Sequence, residues 1–501
     1  MKRCLHEKVG IAVLGVFLLF FAGCSKTADG SGNLGPLDTS KQVELVLYVV
    51  SDEPSGQREM NENFNKLLLE KLNCTLRINW IGWAEFANKY PLLFSSGEVF
   101  DMAYAATWLN FASLAQKGAF KNLDELFPAY APKNYARQSK TALQQGTIDG
   151  HLYAIPTLLP TYSAYGPIYR VDINLPGWDG NMNNMADMEK YLQIVKDNNP
   201  GMEPIQIYSI GSEIDDLFLM ENGIYFIKGS TNDFLFIDPT QPNPKLFTWW
   251  EYEKASEFLA MVNRWNQAGY FSKSALSDTD SDKLRNGKAA LRIHNIDTWE
   301  GDYQMRPEWG LRWNNFTKDL SNMAFTQDAL VISSTSKNPD RALAFYDLIT
   351  SDPEAHRAFF YGIEGKSYEI QIIDGEERVK SMNTDRYSSS ALWAARTKGL
   401  TLPSVGSPPD LQDFKDSFDA AIKDGENSQK FRSFTIDTSS IETEYAACIN
   451  VHQQYWWPLE LGYVDAVTGL QEYRDKMQAA GIERVRDTLQ KQLDAYVASL
   501  N

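Results

Sequence analysis

Residues 43–51 read VELVLYVVS, a nearly continuous apolar run rich in β-branched side chains. A strand buried on both faces has that composition, whereas a half-buried strand alternates. Pro54-Ser55-Gly56 breaks the run, and QREMNENFNKLLLEKLN follows with Met60, Phe64, Leu67 and Leu68 on one face of a helix. TLRINWIGW (75–83) predicts a second strand, EFANKYPLLFSSGE (85–98) mixed helix and turn, and FDMAYAATW (100–108) a third strand. Strand, helix, strand, helix, strand predicts an α/β lobe with a largely parallel sheet. Ligands of such sheets bind beyond the carboxyl ends of the strands. That places residues 51–55, including Asp52, together with Trp83, Thr107 and Trp108 on one rim.

Upstream of this lobe the chain reads as an address. Lys2, Arg3 and Lys8 precede an apolar run from Val9 to Ala22, too short for a spanning helix of about 20 residues. A basic start, a short apolar core and a small-residue exit describe a secretory signal peptide over 1–23. Phe21-Ala22-Gly23-Cys24 resembles the lipobox of bacterial lipoproteins, with Phe21 where an aliphatic residue is usual. The resemblance implies cleavage before Cys24 and lipidation of its thiol. Two acyl chains suffice for stable anchoring. Residues 24–40 then form a tether. GSGNLG (30–35) within it fits a dinucleotide-binding fingerprint, but neither a strand before it nor a helix after it supplies the context that motif needs.

The 501 residues carry a formal net charge of −17, nearer −19 once residues 1–23 are removed. So acidic a surface disfavours nucleic acid and anionic lipid and favours neutral or cationic ligands. Cys74 and Cys448 are the body's two cysteines, too few for a disulfide framework; they pair or are free and buried. The five histidines show no metal-ligand spacing. DTDSDKLRNGKA (278–289) opens like a calcium loop, but Lys283 stands where glycine is needed and Ala289 where the bidentate Glu belongs; the acidic run is read as capping a helix. No metal or other cofactor is expected.

Aromatic content is the anomaly: 13 Trp, 24 Tyr and 26 Phe. INWIGW, TWWEY, EWGLRWNNF and QYWWPLELGY put tryptophan at segment ends. Flat aromatic faces stack on the apolar C–H faces of sugar rings, although each such cluster also suits a core.

FSSGEVFDMAYA (94–105), LAQKGAFKNLDELFP (114–128) and DGHLYAIP (149–156) follow the order and spacing of the extracellular solute-binding proteins of ABC importers. The resemblance is to the sugar-binding members that are similar to maltose-binding protein. NGKAALRIHNIDTW (286–299) resembles the family's strand that leads to a ligand-facing aromatic, and residues 328–360 resemble its hinge-return strand and helix. YGIEGKSYEI (361–370) and NVHQQYWWPLELGYVD (450–465) resemble a lipoprotein subfamily with its own C-terminal domain.

The resemblance implies a two-lobed α/β fold of the periplasmic-binding-protein type, each lobe a mostly parallel sheet flanked by helices, plus a mixed C-terminal unit. Expected boundaries are 41–158 for lobe one, 159–324 for lobe two, 325–365 for a return to lobe one, and 366–501 for completion of lobe two and the C-terminal domain. Crossings are expected at 156–160, 325–332 and 362–368. Candidate ligand contacts are Trp299 foremost, then Asp297 (or a helix N-cap), Trp83, Trp108, Thr107, Tyr162, Tyr165, Glu364 (or a partner of Lys366) and Asp52 (or a loop cap).

The expected function is capture of an oligosaccharide by lobe closure and delivery to ABC transporter permease subunits. The protein would be a monomer, lipid-anchored on the extracellular face of the cell membrane. It would not be an enzyme: no nucleophile elbow, Walker loop or HExxH motif occurs. The rivals are a secreted glycoside-active enzyme, a sensory or adhesion lipoprotein, and capture of a peptide rather than a sugar.

Overall fold

The first strand, β1 (Val43–Val50), pairs in parallel with β2 (Cys74–Ile81) along its whole length and with β3 (Met102–Ala105) at Leu47 and Tyr48. The computed structural model describes residues 34–500 except 84, 209–212, 228–233, 319, 385, 390, 425–430 and 432–433. The leader and Cys24 lie outside the described residues. From Leu37 onward the chain forms one compact unit.

Helix Gln57–Leu72 connects β1 to β2 and buries Met60, Phe64 and Leu68; Leu67 is only half-buried. Asn73 ends it in the left-handed conformation (φ 45°), its N–H bonded to the Leu68 and Leu69 carbonyls. β4 (Thr147–Ile148) and β5 (His151–Leu152) form a separate two-stranded hairpin, and β6 (Ala154–Pro156) returns to the sheet.

Between β3 and β6 lies β13 (Ala329–Ile332), antiparallel to both, giving the order β2-β1-β3-β13-β6. All four β13 residues are fully buried. The carboxyl ends of β3 and β6 and the start of β13 meet at one edge, where Ala105, Ala329 and Pro156 are in register.

Lobe two is built on β7 (Tyr165–Tyr169), β8 (Glu203–Ile205), β11 (Ala289–Asn295) and β12 (Arg312–Trp313) in the order β12-β7-β11-β8. Only β11 and β8 are parallel, so this sheet departs from the mostly parallel one expected. The reason is the hinge: β7 enters straight from the crossing and runs away from lobe one, while β11 runs back toward it. A short pair, β9 (Tyr225–Phe226) and β10 (Phe236–Ile237), packs beside it.

Two crossings run antiparallel to each other. Thr157 N–H donates to the Phe325 carbonyl (3.1 Å), Met323 to Thr161 (2.8 Å) and Ser163 to Ser321 (2.8 Å). A third strand of chain joins them at the bridge between Leu158 and Thr397. That third crossing was expected at 362–368. It lies instead beyond residue 395, because the hairpin β14 (Tyr368–Ile373) and β15 (Glu376–Ser381) stays on lobe one. Tyr368, Val379, Leu392, Ala394 and Ala395 are buried in the lobe-one core. The lobe boundary read at 366 moves accordingly.

Beyond the crossing, helix Leu411–Asp424 sets Leu411 and Phe418 against Trp313 and Trp299 in a small third core. The described part of the C-terminal unit is helical rather than mixed. Helix Ile482–Ser499 buries Ile482, Val485, Leu489, Leu493 and Val497 at helical spacing against the core shared with Trp249 and Trp265. Cys74 and Cys448 are free and buried, in the cores of different lobes.

Candidate functional site

Three loops meet at the carboxyl edge of the lobe-one sheet: 82–83 after β2, 106–109 after β3, and 393–396 on the way to the third crossing. They carry three neighbouring indoles. Trp83 stacks with Trp108 (ring centroids 6.1 Å apart, 27° between planes) and with Trp393 (5.9 Å, 22°). Trp83 is 41% exposed, while Trp108 and Trp393 are half-buried. Phe86 meets Trp83 and Trp108 edge-on, and Tyr104 meets Trp393 edge-on at 5.4 Å. The exposed carboxylate of Asp52 lies beside the loop, with Oδ1 2.7 Å from where a Cβ on Gly82 would stand, so a larger residue at 82 would push this carboxylate aside.

Next to the indoles a charged chain spans the lobes. Tyr104 donates to Asp328 Oδ1 (2.8 Å); Arg396 Nη2 pairs with Asp328 Oδ2, and Arg396 Nη1 with Asp297 Oδ2 (3.1 Å). Asp328 and Arg396 belong to the lobe-one edge, whereas Asp297 sits in the first turn of helix Ile296–Met305 of lobe two. Burial opposes charge on the Arg396 guanidinium, but Asp328 and Asp297 outweigh it and hold its pKa above the usual value. Burial and then Asp328 push the Tyr104 phenol well up, keeping it a neutral donor. Thr107 Oγ1 donates to Gln327 Oε1 (2.6 Å), joining the rim to the second crossing.

On the lobe-two side Tyr165 stacks on His294 (5.7 Å, 20°) where β7 starts and β11 ends. Burial, followed by the charges of Glu213 and Asp216, pushes the Tyr165 phenol far up. Burial and the nearby Arg292 charge lower His294 to about 3, so its ring is neutral; its Nδ1 is 2.8 Å from Thr298 Oγ1 and accepts the Asn295 N–H (2.9 Å). Tyr162, on the first crossing, donates to Asp419 Oδ1 (2.7 Å) and meets Phe418 edge-on.

Several expected contacts lie elsewhere. Trp299 is 2% exposed; its N–H goes to the Leu311 carbonyl (2.9 Å) and its ring stacks on Trp313, so it packs lobe two rather than offering a face to ligand. The cause is helical phase: Ile296, Trp299 and Asp302 share the buried side of their helix. Asp297 is not the cap, a role taken by Asn295, which accepts the Thr298 N–H. Glu364 is exposed in the turn before β14 and does not pair with Lys366, which is bound to Glu59. Asp278, Asp280 and Asp282 each pair with a basic side chain, Lys283, Lys288 and Arg285, in a stretch of turns where a helix was expected. Sequence reasoning missed Trp393 and Arg396 because residues 366–501 were assigned to the other lobe, and with Arg396 it missed the partners that join it in the chain, Asp328 and Tyr104.

Comparison with known proteins places this two-lobed chain among relatives of similar length. A relative from Streptococcus pneumoniae (serotype 4, strain ATCC BAA-334 / TIGR4), a carbohydrate ABC transporter substrate-binding protein, is 25% identical over 505 residues. The match covers 95% of this chain and 96% of the relative. The N-glycan transport solute binding protein NgtS of Streptococcus pneumoniae, solved in complex with Man1GlcNAc, superposes with a TM-score of 0.72 at 22% identity over 91% of this chain and 100% of that one. The Streptococcus pneumoniae ABC-transporter substrate binding protein FusA, in complex with kestose, gives 0.60 at 14% over 91% and 100%. These two structures share the fold. Residues 430–498 match a domain of unknown function (DUF3502). Residues 51–356, more than half of the sequence, match the bacterial extracellular solute-binding protein model, and the chain belongs to that family.

Proposed function

We propose that this protein captures an extracellular oligosaccharide between its lobes and hands it to an ABC transporter permease, tethered to the membrane through lipid on Cys24. The observation that carries the reading is the rim itself. An indole cluster offers apolar area to sugar rings, and beside it the part-exposed Asp297 and Gln327 supply acceptors and donors that hydroxyls need. Charge-assisted acceptors make the stronger hydrogen bonds. The rim holds one arginine between two aspartates, a balance suited to neutral glycans rather than anionic ones. Both carboxylates are engaged by Arg396, which favours binding over acid–base hydrolysis. Relatives that carry carbohydrate names or bound glycans support the same ligand class.

Closure is hinge motion about the three crossings. Arg396 and Asp297 then link the lobes at the hinge side of the cleft, and Trp83, Trp108 and Thr107 line the lobe-one wall. Tyr162 and Tyr165 stand at the lobe-two entrance. ATP hydrolysis belongs to the transporter, and no cofactor takes part here.

A thermal-shift screen of residues 25–501 against mono- and oligosaccharides, with short peptides as controls, tests the reading. A ligand at 100 times its Kd adds about 2.7 kcal/mol to stability. An upward shift with an oligosaccharide that is recovered intact supports capture. Cleaved sugar would establish an enzyme, and a shift with peptides alone would overturn the ligand class. For the anchor, Cys24→Ser should release the protein from the membrane fraction into the medium; retention in the membrane would rule out lipid on Cys24.

A further inference from the structure

The apolar rim of lobe one has a polar counterpart at the facing edge of the lobe-two sheet. There β8 and β11 run parallel, and β7 starts where β11 ends, with Tyr165 opposite Asn295. Tyr208, just past β8, therefore stands at the same edge as Tyr165 and His294. That edge is the one toward lobe one, because Asp297, shortly after His294 in the chain, reaches Arg396. Tyr165, Tyr208 and His294 are all half-buried and keep accessible surface.

Their backbones are pinned, but their polar tips are not. The Phe316 N–H donates to the Tyr165 carbonyl (2.9 Å), the Tyr165 N–H to Thr317 Oγ1 (3.0 Å) and the Trp313 indole N–H to the His294 carbonyl (3.0 Å). The Tyr165 ring is stacked on the His294 ring, which holds the two side chains as a pair. His294 Nδ1 is taken by the Asn295 N–H and Thr298 Oγ1, which leaves the ring proton on Nε2. Among the described residues neither that N–H nor the hydroxyl of Tyr165 or Tyr208 has a hydrogen-bond partner. Arg292, on the same strand as His294, is 8% exposed; its Nη1 lies 3.5 Å from Asp302 Oδ2, and its buried Nε has no hydrogen-bond partner among the described residues. Buried and half-buried donors are nearly always met by an acceptor, so this edge asks for an oxygen from outside the protein.

The donor set narrows what that oxygen is. Burial, and after it the charge of Glu213, raises both phenols while Arg292 lowers both, so the two hydroxyls share one electrostatic surround and each remains a neutral O–H. A sugar hydroxyl must donate as well as accept, and His294 offers it no acceptor. A carboxylate would meet the charges of Glu213 and Asp216, which already bear on Tyr165. A carbonyl oxygen only accepts and carries no charge, and the group that brings one to a neutral sugar is N-acyl.

Resting on the carbohydrate reading above, we propose that Tyr165 and His294 form a lobe-two subsite that selects an N-acylated sugar, the His294 Nε2–H and the Tyr165 hydroxyl donating to the acyl carbonyl oxygen with Tyr208 beside them. Lobe one then supplies apolar area and lobe two reads the substituent. A site built to hydrogen-bond one group rejects the analogue that lacks it, because its own donors are left unpaired.

Titration calorimetry on the full chain, held in a detergent without a sugar headgroup, tests this with two pairs of probes: diacetylchitobiose against cellobiose, and Man1GlcNAc against the same mannoside of glucose. Within each pair only acetamido groups are replaced by hydroxyls. The unsubstituted chain should bind the N-acetylated member of at least one pair about tenfold or more tightly. His294→Phe, which keeps a stacked ring and removes the N–H, and Tyr165→Phe should each cut that ratio about fivefold or more, with affinity for the hydroxyl member held within about twofold. His294→Gln, which brings back a donor, should recover part of the ratio. A merely structural role would weaken both members alike. Equal affinity for both members in the unsubstituted chain overturns the subsite and leaves the carbohydrate reading intact. So does a ratio unmoved by both phenylalanine variants when their unfolding midpoints match the unsubstituted chain. If one variant fails to fold, the other decides. Binding of none of the four probes overturns the N-acyl selection, and the wider oligosaccharide screen then decides the carbohydrate reading by itself.

Discussion

Trp249, Trp456 and Phe258 form a stack where lobe two meets the C-terminal helices; Trp108, Trp83 and Trp393 form another on the lobe-one rim. The angles are alike: 20° and 26° from Trp249 to Trp456 and Phe258, against 27° and 22° on the rim. The spacings are not. The interior rings sit 4.5 and 4.8 Å apart, the rim rings 6.1 and 5.9 Å. Trp249 and Trp456 are completely buried, and the Trp456 N–H donates to Asp215 Oδ2 (2.8 Å). In the interior each indole contributes apolar burial; on the rim the same side chain leaves area uncovered for something else. Stacked tryptophans therefore identify a binding surface only where spacing and exposure leave room. The one-turn π segment His452–Trp456 contributes to the interior stack: His452 lies on Trp456, and Trp456 lies on Trp249.

The largest expected effect separates the two stacks directly. Trp456→Ala should cost about 3–5 kcal/mol in denaturant unfolding, the range for deleting a fully buried large aromatic, while the folded fraction keeps its sugar affinity. A comparable stability loss for Trp83→Ala would erase the distinction. Arg396→Ala comes next, because it strands Asp328, a carboxylate only 8% exposed, beside a buried tyrosine. Breaking such a pair from one side costs about 3 kcal/mol, and small-angle scattering should show wider separation of the lobes. Asp297→Asn, on the exposed end of the same chain, should loosen the lobes with little loss of stability.

The third test sharpens the interior side. Burial, then the neighbouring Asp216 charge, raises Asp215 to about 6. Between about pH 4 and pH 6 the native state thus keeps a proton that the unfolded chain has released. Stability contributed at this site falls as pH rises through that window and is level above it, with a slope of up to about 1.4 kcal/mol per pH unit. Unfolding of Asp215→Asn across pH 4–8 should lack that component; a slope identical to the unsubstituted chain would show that Asp215 does not carry it. The smallest effect belongs to Lys117 and Glu442, an exposed pair at 2.5 Å between lobe one and the C-terminal helices. Lys117→Glu should change stability by about half a kcal/mol at most, and the double swap with Glu442→Lys should restore it.

The legible parts of this molecule were local. The first three strands and their helix follow from apolar runs and period, and the rim positions of Trp83 and Trp108 follow from where those strands end. Of the four tryptophan clusters only INWIGW reaches the rim. Trp249 of TWWEY and Trp456 of QYWWPLELGY meet each other instead, and Trp313 of EWGLRWNNF packs on Trp299. No spacing within one segment reveals a partner two hundred residues away. Trp393 and Arg396 were missed for a different reason: their place depends on which lobe holds 368–395. A local sign did exist. Asp374 and Gly375, both at positive φ (52° and 84°), join β14 to β15 as a two-residue turn. An Asp-Gly pair between strand-like runs marks a hairpin, and a hairpin has no need to cross to the other lobe.

The position of β13 has a bearing on how the chain comes to be folded. Its four residues fill the gap between β3 and β6, yet they lie some 170 residues beyond β6 in sequence, past the whole of the lobe-two sheet. Until Ala329–Ile332 has been synthesised, the amino-terminal 156 residues hold a four-strand set with its inner seam unfilled and β6 unpaired. Closing that seam brings together stretches about 170 residues apart, a non-local pairing whose loop-closure entropy slows completion of lobe one. A nascent or truncated chain ending before residue 329 should remain open to protease in lobe one.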